Sequence, residues 1–178
     1  MKELETERLL LRYLNEDDAE EMFYGMTSRE NVARYVTWHA HKDVSETVAF
    51  INFCMDDYKN LRCFRWGIEL KETGRLIGII DVVGYNEGEP EIGYILAEEF
   101  WGSGYMTEAC RAVVKYLLFE EDFKTIYAEA HVDNIGSNRV LEKSGFHFVK
   151  TYERPQSQSK TEVISVNAYR INKNTAIF

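Results

Sequence analysis

The chain has 178 residues with 30 acidic against 21 basic side chains, a formal charge of −9 that repels a nucleic-acid backbone and argues against DNA or RNA as a partner. No run approaches the ~20 consecutive apolar residues of a membrane span, and Met1–Arg12 lacks the basic start and apolar stretch of a secretion signal, so a soluble, cytoplasmic protein without a membrane partner is expected. Cys54, Cys63 and Cys110 form no CxxC pair, match no zinc spacing and leave one thiol over in any disulfide scheme; they read as reduced structural thiols, and no metal is expected.

Residues Arg8 to Tyr13 place Leu9, Leu11 and Tyr13 on one side of a strand, and Asn15 then caps a helix whose Ala19, Met22, Phe23 and Met26 share a face. Asp43 and Glu46 are spaced as a capping box before a second helix running to about Lys59, and Trp38, His39 and His41 fall in a loop that is a candidate substrate lid. Phe64, Trp66, Ile68 and Leu70 alternate with polar or small residues, the stretch 72–74 turns the chain, and Leu76 to Val83 returns as the second strand of a hairpin. After a polar turn at 86–90, Ile92 to Leu96 is a third strand, followed by a glycine-bearing turn and a helix from about Met106 to Phe119, apolar nearly all round and so expected to be buried. A strand from Thr125 to Val132, a helix from Ile135 to Lys143 ended by Gly145, and strands at Phe146–Tyr152 and Glu162–Ile171 separated by the polar stretch 154–160 complete a chain with no repeat and no linker, read as one domain over 1–178.

The stretch Glu91 to Phe119, EIGYILAEEFWGSGYMTEACRAVVKYLLF, runs strand, glycine turn, helix. Such a turn presents unpaired amides beside the positive end of a helix, a natural seat for a diphosphate. Read as a dinucleotide fingerprint it fails, because Thr107 stands where a third glycine is required and the preceding strand belongs to an antiparallel meander. Taken alone, Gly102 and Gly104 also suit a plain tight turn. The stretch Thr125 to Val149 places Asn134 and Ser137 at a helix start, where they suit simple capping or, functionally, an amide facing a ligand's own amides and a hydroxyl proton donor.

Together the two stretches resemble the GNAT superfamily of acetyl-coenzyme A dependent N-acetyltransferases, particularly its ribosomal-protein-alanine acetyltransferase (RimJ/RimL-like) branch. The resemblance rests on TERLLLR at Thr6–Arg12, EIGY at Glu91–Tyr94, WGSGYMTEA at Trp101–Ala109 and the segment Asn134–Phe146, and covers nearly the whole chain. It implies an α+β fold (α/β by some schemes), a mixed, mostly antiparallel, splayed sheet of about seven strands flanked by about four helices. It also implies acetyl-CoA as cosubstrate, its pantetheine arm along Tyr94, Ile95 and Leu96 and touching Asn134. The pyrophosphate would lie over Trp101, Gly102, Ser103, Gly104, Tyr105, Met106 and Thr107. The superfamily's phosphate signature usually has Gln or Arg three residues before Gly104 and Gly or Ala two after it; Trp101 and Met106 occupy those places, which leaves phosphate binding to backbone groups. Many relatives carry a tyrosine general acid at the position of Leu141, and Ser137 is the expected substitute.

Transfer requires removing a proton from the amine and stabilising an oxyanion and a leaving thiolate. Glu91 and Glu129 are the expected proton acceptors, each with an ordinary strand carboxylate as its alternative; His39 and His41 are surface histidines or lid groups. The branch favours a protein N-terminal amine as acceptor, whereas the acidic balance favours a polyamine or other small amine; a non-catalytic CoA-binding sensor is the alternative from another class. Tyr85 and Trp38 suit either a substrate cleft or a dimer contact, so monomer and homodimer both stay open.

Overall fold

In the computed structural model, which describes residues 1–59, 63–157 and 160–176, one eight-stranded sheet organises the chain. Strands β1 (Leu4–Glu5) and β2 (Leu9–Arg12) open it. A short helix α1 (Ala19–Met22), flanked by a 3₁₀ turn at Glu16–Asp18 and a π-helical turn at Phe23–Thr27, precedes helices α2 (Glu30–Ala33) and α3 (Val44–Asp57). Then come the meander β3 (Arg65–Leu70), β4 (Arg75–Asn86) and β5 (Glu89–Leu96), helix α4 (Tyr105–Phe119), β6 (Thr125–His131), helix α5 (Ile135–Lys143), β7 (His147–Pro155) and β8 (Val163–Asn172).

The expected elements are all present, with three differences. The two-residue β1 brings the sheet to eight strands, because Leu4 pairs with Leu11 and is buried. The first helix is broken into 3₁₀, α and π turns and is followed by the separate α2, so the described residues hold five α-helices where about four are expected. The turn expected over 86–90 is only Glu87–Gly88, both at positive φ, so β4 and β5 are longer than the apolar pattern alone indicates. Both predicted caps form: the Asn15 side chain accepts from Asp17 N–H, and Asp43 and Glu46 make the reciprocal capping box of α3. Of the polar stretch 154–160, residues 158 and 159 lie outside the described residues.

Strand order is β1-β2-β3-β4-β5-β6-β8-β7, and every pairing but β5–β6 is antiparallel. Alternation divides each strand between two faces. On one face Ile80, Ile92, Ile126, Ala128, Tyr169 and Ile171 pack beneath α4 and α5; on the other, Leu76, Ile79 and Ala97 pack beneath α1 and α3 through Met22, Met26, Ile51 and Cys54. Helix α4 is exposed along one stripe, Arg111, Lys115 and Phe119, at the four-residue spacing of a single helix face, and half-buried at Tyr105, Thr107, Glu108 and Ala112, so it is less enclosed than expected. The three cysteines are buried free thiols, pushed up to about 11 for Cys54 and Cys63 and about 12 for Cys110, in each case chiefly by burial.

The sheet splays at its centre. Strand β5 pairs with β4 along its whole length, but with β6 only at Glu91–Tyr127 and Ile92–Ala128. Beyond those two pairs β5 turns with the meander while β6 continues along β8 as far as His131–Val166. The opening between them is the place to look for a site.

Candidate active site

Alternation defines what β5 offers to the opening. Ala97 N–H donates to the Ile77 carbonyl at 2.8 Å, and the register continues through Ile79–Ile95 and Asp81–Gly93. Those residues turn their polar groups to β4, and the main-chain groups of Tyr94 and Leu96 therefore face the opening. The Trp101 indole takes the Leu96 carbonyl at 2.8 Å, which leaves the Tyr94 and Leu96 amides as the donors on that edge.

The chain leaves β5 through a 3₁₀ turn at Glu98–Phe100 and reaches α4 through exposed Trp101, Gly102, Ser103 and Gly104. Gly102 and Gly104 have φ of 76° and 82°, a region that costs other residues about 1–2 kcal/mol. A Cβ on Gly102 would meet nothing within 4 Å, so within the chain this glycine serves conformation and not clearance. Helix α4 has no side-chain cap, and its first N–H groups stay available to a ligand. Tyr105 and Thr107 are half-buried, whereas the Met106 side chain is in the core, leaving only its main chain for binding.

A cation that the motif reading overlooked stands at this turn. The Arg8 guanidinium donates to the Ser103 carbonyl at 3.1 Å and lies over the Tyr105 ring at 4.2 Å. Its Nε pairs with Glu108 at 2.7 Å, and the same carboxylate accepts from Thr6 Oγ1 at 2.6 Å and Arg8 N–H at 2.9 Å. Burial alone would raise the Glu108 pKa; these donors bring it below the usual range. The TERLLLR segment thus straps β2 to the start of α4. Phosphate binding need not rest on the backbone alone.

Across the opening, the Asn134 side chain caps α5 by accepting from Ser137 N–H at 3.1 Å. Ser137 Oγ lies 2.9 Å from the hydroxyl of Tyr94, which also reaches the Ser137 carbonyl at 3.2 Å. Tyr94 projects from β5 into the helix-covered face, and burial pushes its pKa far up. Leu141 is wholly buried one turn along α5. Asn138, also unflagged by the motifs, fastens the helix: its Nδ2 donates to the His131 and Asn134 carbonyls at 3.0 and 2.8 Å, and its Oδ1 accepts from Asn167 at 2.9 Å and Tyr169 OH at 2.7 Å.

Glu91 and Glu129 sit on the opposite face, in a cleft of about 310 Å³ that also touches Tyr127, Lys150, Tyr152 and Arg170. Glu129 accepts from Arg154 Nε at 2.8 Å and from the Tyr152 hydroxyl, itself pushed up to about 12 by burial and this bond. Burial first, and the Glu129 charge second, raise the Glu91 pKa above the ordinary carboxylate range, with Arg154 opposing. Gly93 sits tight beside β4, where a Cβ would fall 2.7 Å from Val83 Cγ1.

The candidate lid is held at both ends. His41 N–H donates to the Thr27 carbonyl at 2.8 Å and its Nδ1 meets Thr47 Oγ1 at 2.8 Å, while Gln156 and Lys160 reach the carbonyls of Arg34, Val36 and Ala33. Trp38 is half-buried against His41 and Tyr35 lies beside His131 at 5.0 Å; His39 is exposed. Among the described residues no group of three or more His, Cys, Asp or Glu could hold a metal ion, and no helix is long and apolar enough to cross a membrane.

A family model described as an acetyltransferase (GNAT) domain matches residues 8–147. An uncharacterized N-acetyltransferase, YoaA of Bacillus subtilis, is 33% identical over 172 residues, 96% of each chain. A GNAT-family acetyltransferase structure from Bacillus anthracis superposes with a TM-score of 0.84 at 26% identity, covering 97% of this chain and 99% of that one. A ribosomal L7/L12 alpha-N-protein acetyltransferase, solved in complex with coenzyme A, superposes with a TM-score of 0.81 at 17% identity, covering 96% and 98%.

Proposed function

Because the chain belongs to the GNAT acetyltransferase family and is an acetyl-CoA dependent N-acetyltransferase, we propose that it acetylates a primary amine at the splay between β5 and β6, and that this amine is a protein N-terminus. One observation carries the placement: the β5 edge opposite β6 goes unpaired after Ile92 and leads directly to the positive-φ turn and uncapped start of α4. That continuity suits a long amide-bearing thioester arm that leads into a diphosphate. Tyr94, Ile95 and Leu96 line the arm. The main-chain groups from Trp101 and Gly102 through Ser103, Gly104, Tyr105, Met106 and Thr107 hold the pyrophosphate, with Arg8 beside them, and the Asn134 amide meets the arm.

The acceptor enters from the cleft on the opposite face. The amine attacks only as a neutral base, and Glu91 takes its proton, through water where needed. The raised pKa of Glu91 makes its carboxylate a stronger proton acceptor than an ordinary one. Glu129, engaged by Arg154 and Tyr152, orients and charges the site. A strand amide from the Tyr94–Leu96 edge receives the oxyanion, and Ser137 hydrogen-bonds the departing thiolate. Lys150 and Arg170 at the cleft favour an acceptor with one amine on a peptide over a polyamine, whose second ammonium they repel.

The test begins with calorimetry of acetyl-CoA against the native chain and Gly104→Val, which forces a β-branched residue to positive φ beside the pyrophosphate. Micromolar binding lost in a folded variant supports the cofactor site; no binding by the native chain overturns it. CoA release is then followed with peptides beginning in serine or alanine and with spermidine. Faster turnover of a peptide supports the acceptor class, and a preference for spermidine overturns it. Binding without turnover on any of them supports the sensor reading, which the apolar Leu141 favours.

A further inference from the structure

The GNAT resemblance leaves a chemical gap: the helix position that carries a tyrosine in many relatives is Leu141, wholly buried here, and a serine hydroxyl alone is a weak source of stabilisation for a leaving thiolate. The phenol has a counterpart in space. Tyr94 rises from β5, on the same face as α5, and brings its hydroxyl to 2.9 Å from Ser137 Oγ. It crosses from one wall of the opening to the other.

The geometry points to Tyr94 as the positioning residue for Ser137 in transfer: the phenol donates to Ser137 Oγ, so that the serine proton is turned into the opening and towards the sulfur of the departing thiolate. Three features bear on that bond. Ser137 N–H is already committed to Asn134 Oδ1, which sets the first turn of α5 and with it the Cα–Cβ vector of the serine. The Ser137 carbonyl lies 3.2 Å from the same phenol, so the single phenol proton is shared between that carbonyl and the nearer Oγ at 2.9 Å. The phenol is buried and stays protonated through the working range, so its proton remains on hand for this bond. With Oγ accepting from Tyr94, the one remaining hydroxyl hydrogen of Ser137 goes to the ligand.

The step is electron-balanced without a net proton from Tyr94. When the tetrahedral intermediate collapses, the carbon–sulfur bond breaks, its electron pair stays on sulfur, and the carbonyl reforms. The sulfur anion accepts a hydrogen bond from Ser137, strengthened because Ser137 itself accepts from Tyr94. The thiolate leaves and is protonated by water. Tyr94 is thereby distinct from a tyrosine acid, which would lose its proton and titrate.

This inference rests on the proposed transfer reaction, and the experiment separates the two. Turnover of acetyl-CoA is measured with a serine-initiated peptide, or with spermidine if that is the amine acetylated, for the native chain, Tyr94→Phe, Ser137→Ala and the double variant. Tyr94→Phe keeps the ring and removes one oxygen. Its kcat is expected to fall roughly tenfold, the scale of one hydrogen bond, with KM for acetyl-CoA within about twofold and an unchanged circular dichroism spectrum. The double variant is expected to be no slower than Ser137→Ala, because the tyrosine acts through the serine. The deficit of Tyr94→Phe should also shrink when the selenoester analogue of acetyl-CoA, with its less basic leaving group, replaces the thioester.

A native chain that acetylates no amine sinks the transfer reaction and this role with it. A native chain that turns over, with Tyr94→Phe at the native rate or with additive losses in the double variant, overturns the role of Tyr94 alone.

Discussion

Glu91 shows how the burial of one side chain is written into stability. It is held half-buried beside Glu129, and both effects favour its protonated form in the folded chain. A group whose folded pKa is raised stabilises the fold below its unfolded pKa and loses that contribution as pH rises through the folded value. Glu91→Gln is therefore expected to raise the thermal midpoint at pH 7 to 8 while abolishing transfer, and the gain should vanish below about pH 4, where the native carboxyl is protonated in both states. Midpoints by circular dichroism across that range check it; a variant less stable at neutral pH would count against Glu91 as a strained base. Other residues carry the opposite balance. Glu108 is satisfied from Thr6 and Arg8, contributes stability at neutral pH and loses it in acid.

The secondary elements were legible wherever local chemistry sets them. The capping boxes at Asn15 and Asp43, the alternation from Phe64 to Leu70 and the span of α5 can be read from neighbouring residues because their partners are neighbours. The break of the first helix into 3₁₀, α and π turns, and the pairing of β1, depend on packing against distant strands, for which one amphipathic face gives no signal. The same division holds at the site. The glycine turn that leads into α4 was legible from residue spacing, whereas Arg8 at Ser103, Tyr94 at Ser137 and the anchoring by Asn138 join residues far apart in the chain. Asn138 invites a test at this level, since it satisfies four partners from one nearly buried amide. Asn138→Ala leaves those groups unpaired and is expected to cost about 2–3 kcal/mol of unfolding free energy, read from urea titration. A loss below about 0.5 kcal/mol would mean water replaces the amide without penalty.

Taken whole, the molecule is two sheet halves that share a seam of two residue pairs, with α4 packed against strands of both halves. Acetyl-CoA lying along the opening should slow hydrogen exchange at the Tyr94 and Leu96 amides, leave the β7–β8 ladder unchanged, and raise the unfolding free energy by about 2.7 kcal/mol at a hundredfold excess over Kd. Uniform protection of all strands would speak against binding at the seam. The seam has another side. A sheet edge in the middle of a fold must stay open to admit a guest, so it cannot be blunted by a covering helix as outer edges often are. Any extended peptide offers the same amides and carbonyls as the intended arm. The unfilled seam is thus expected to pair with stray strands, its own unfolded copies among them, and acetyl-CoA seated there to oppose aggregation.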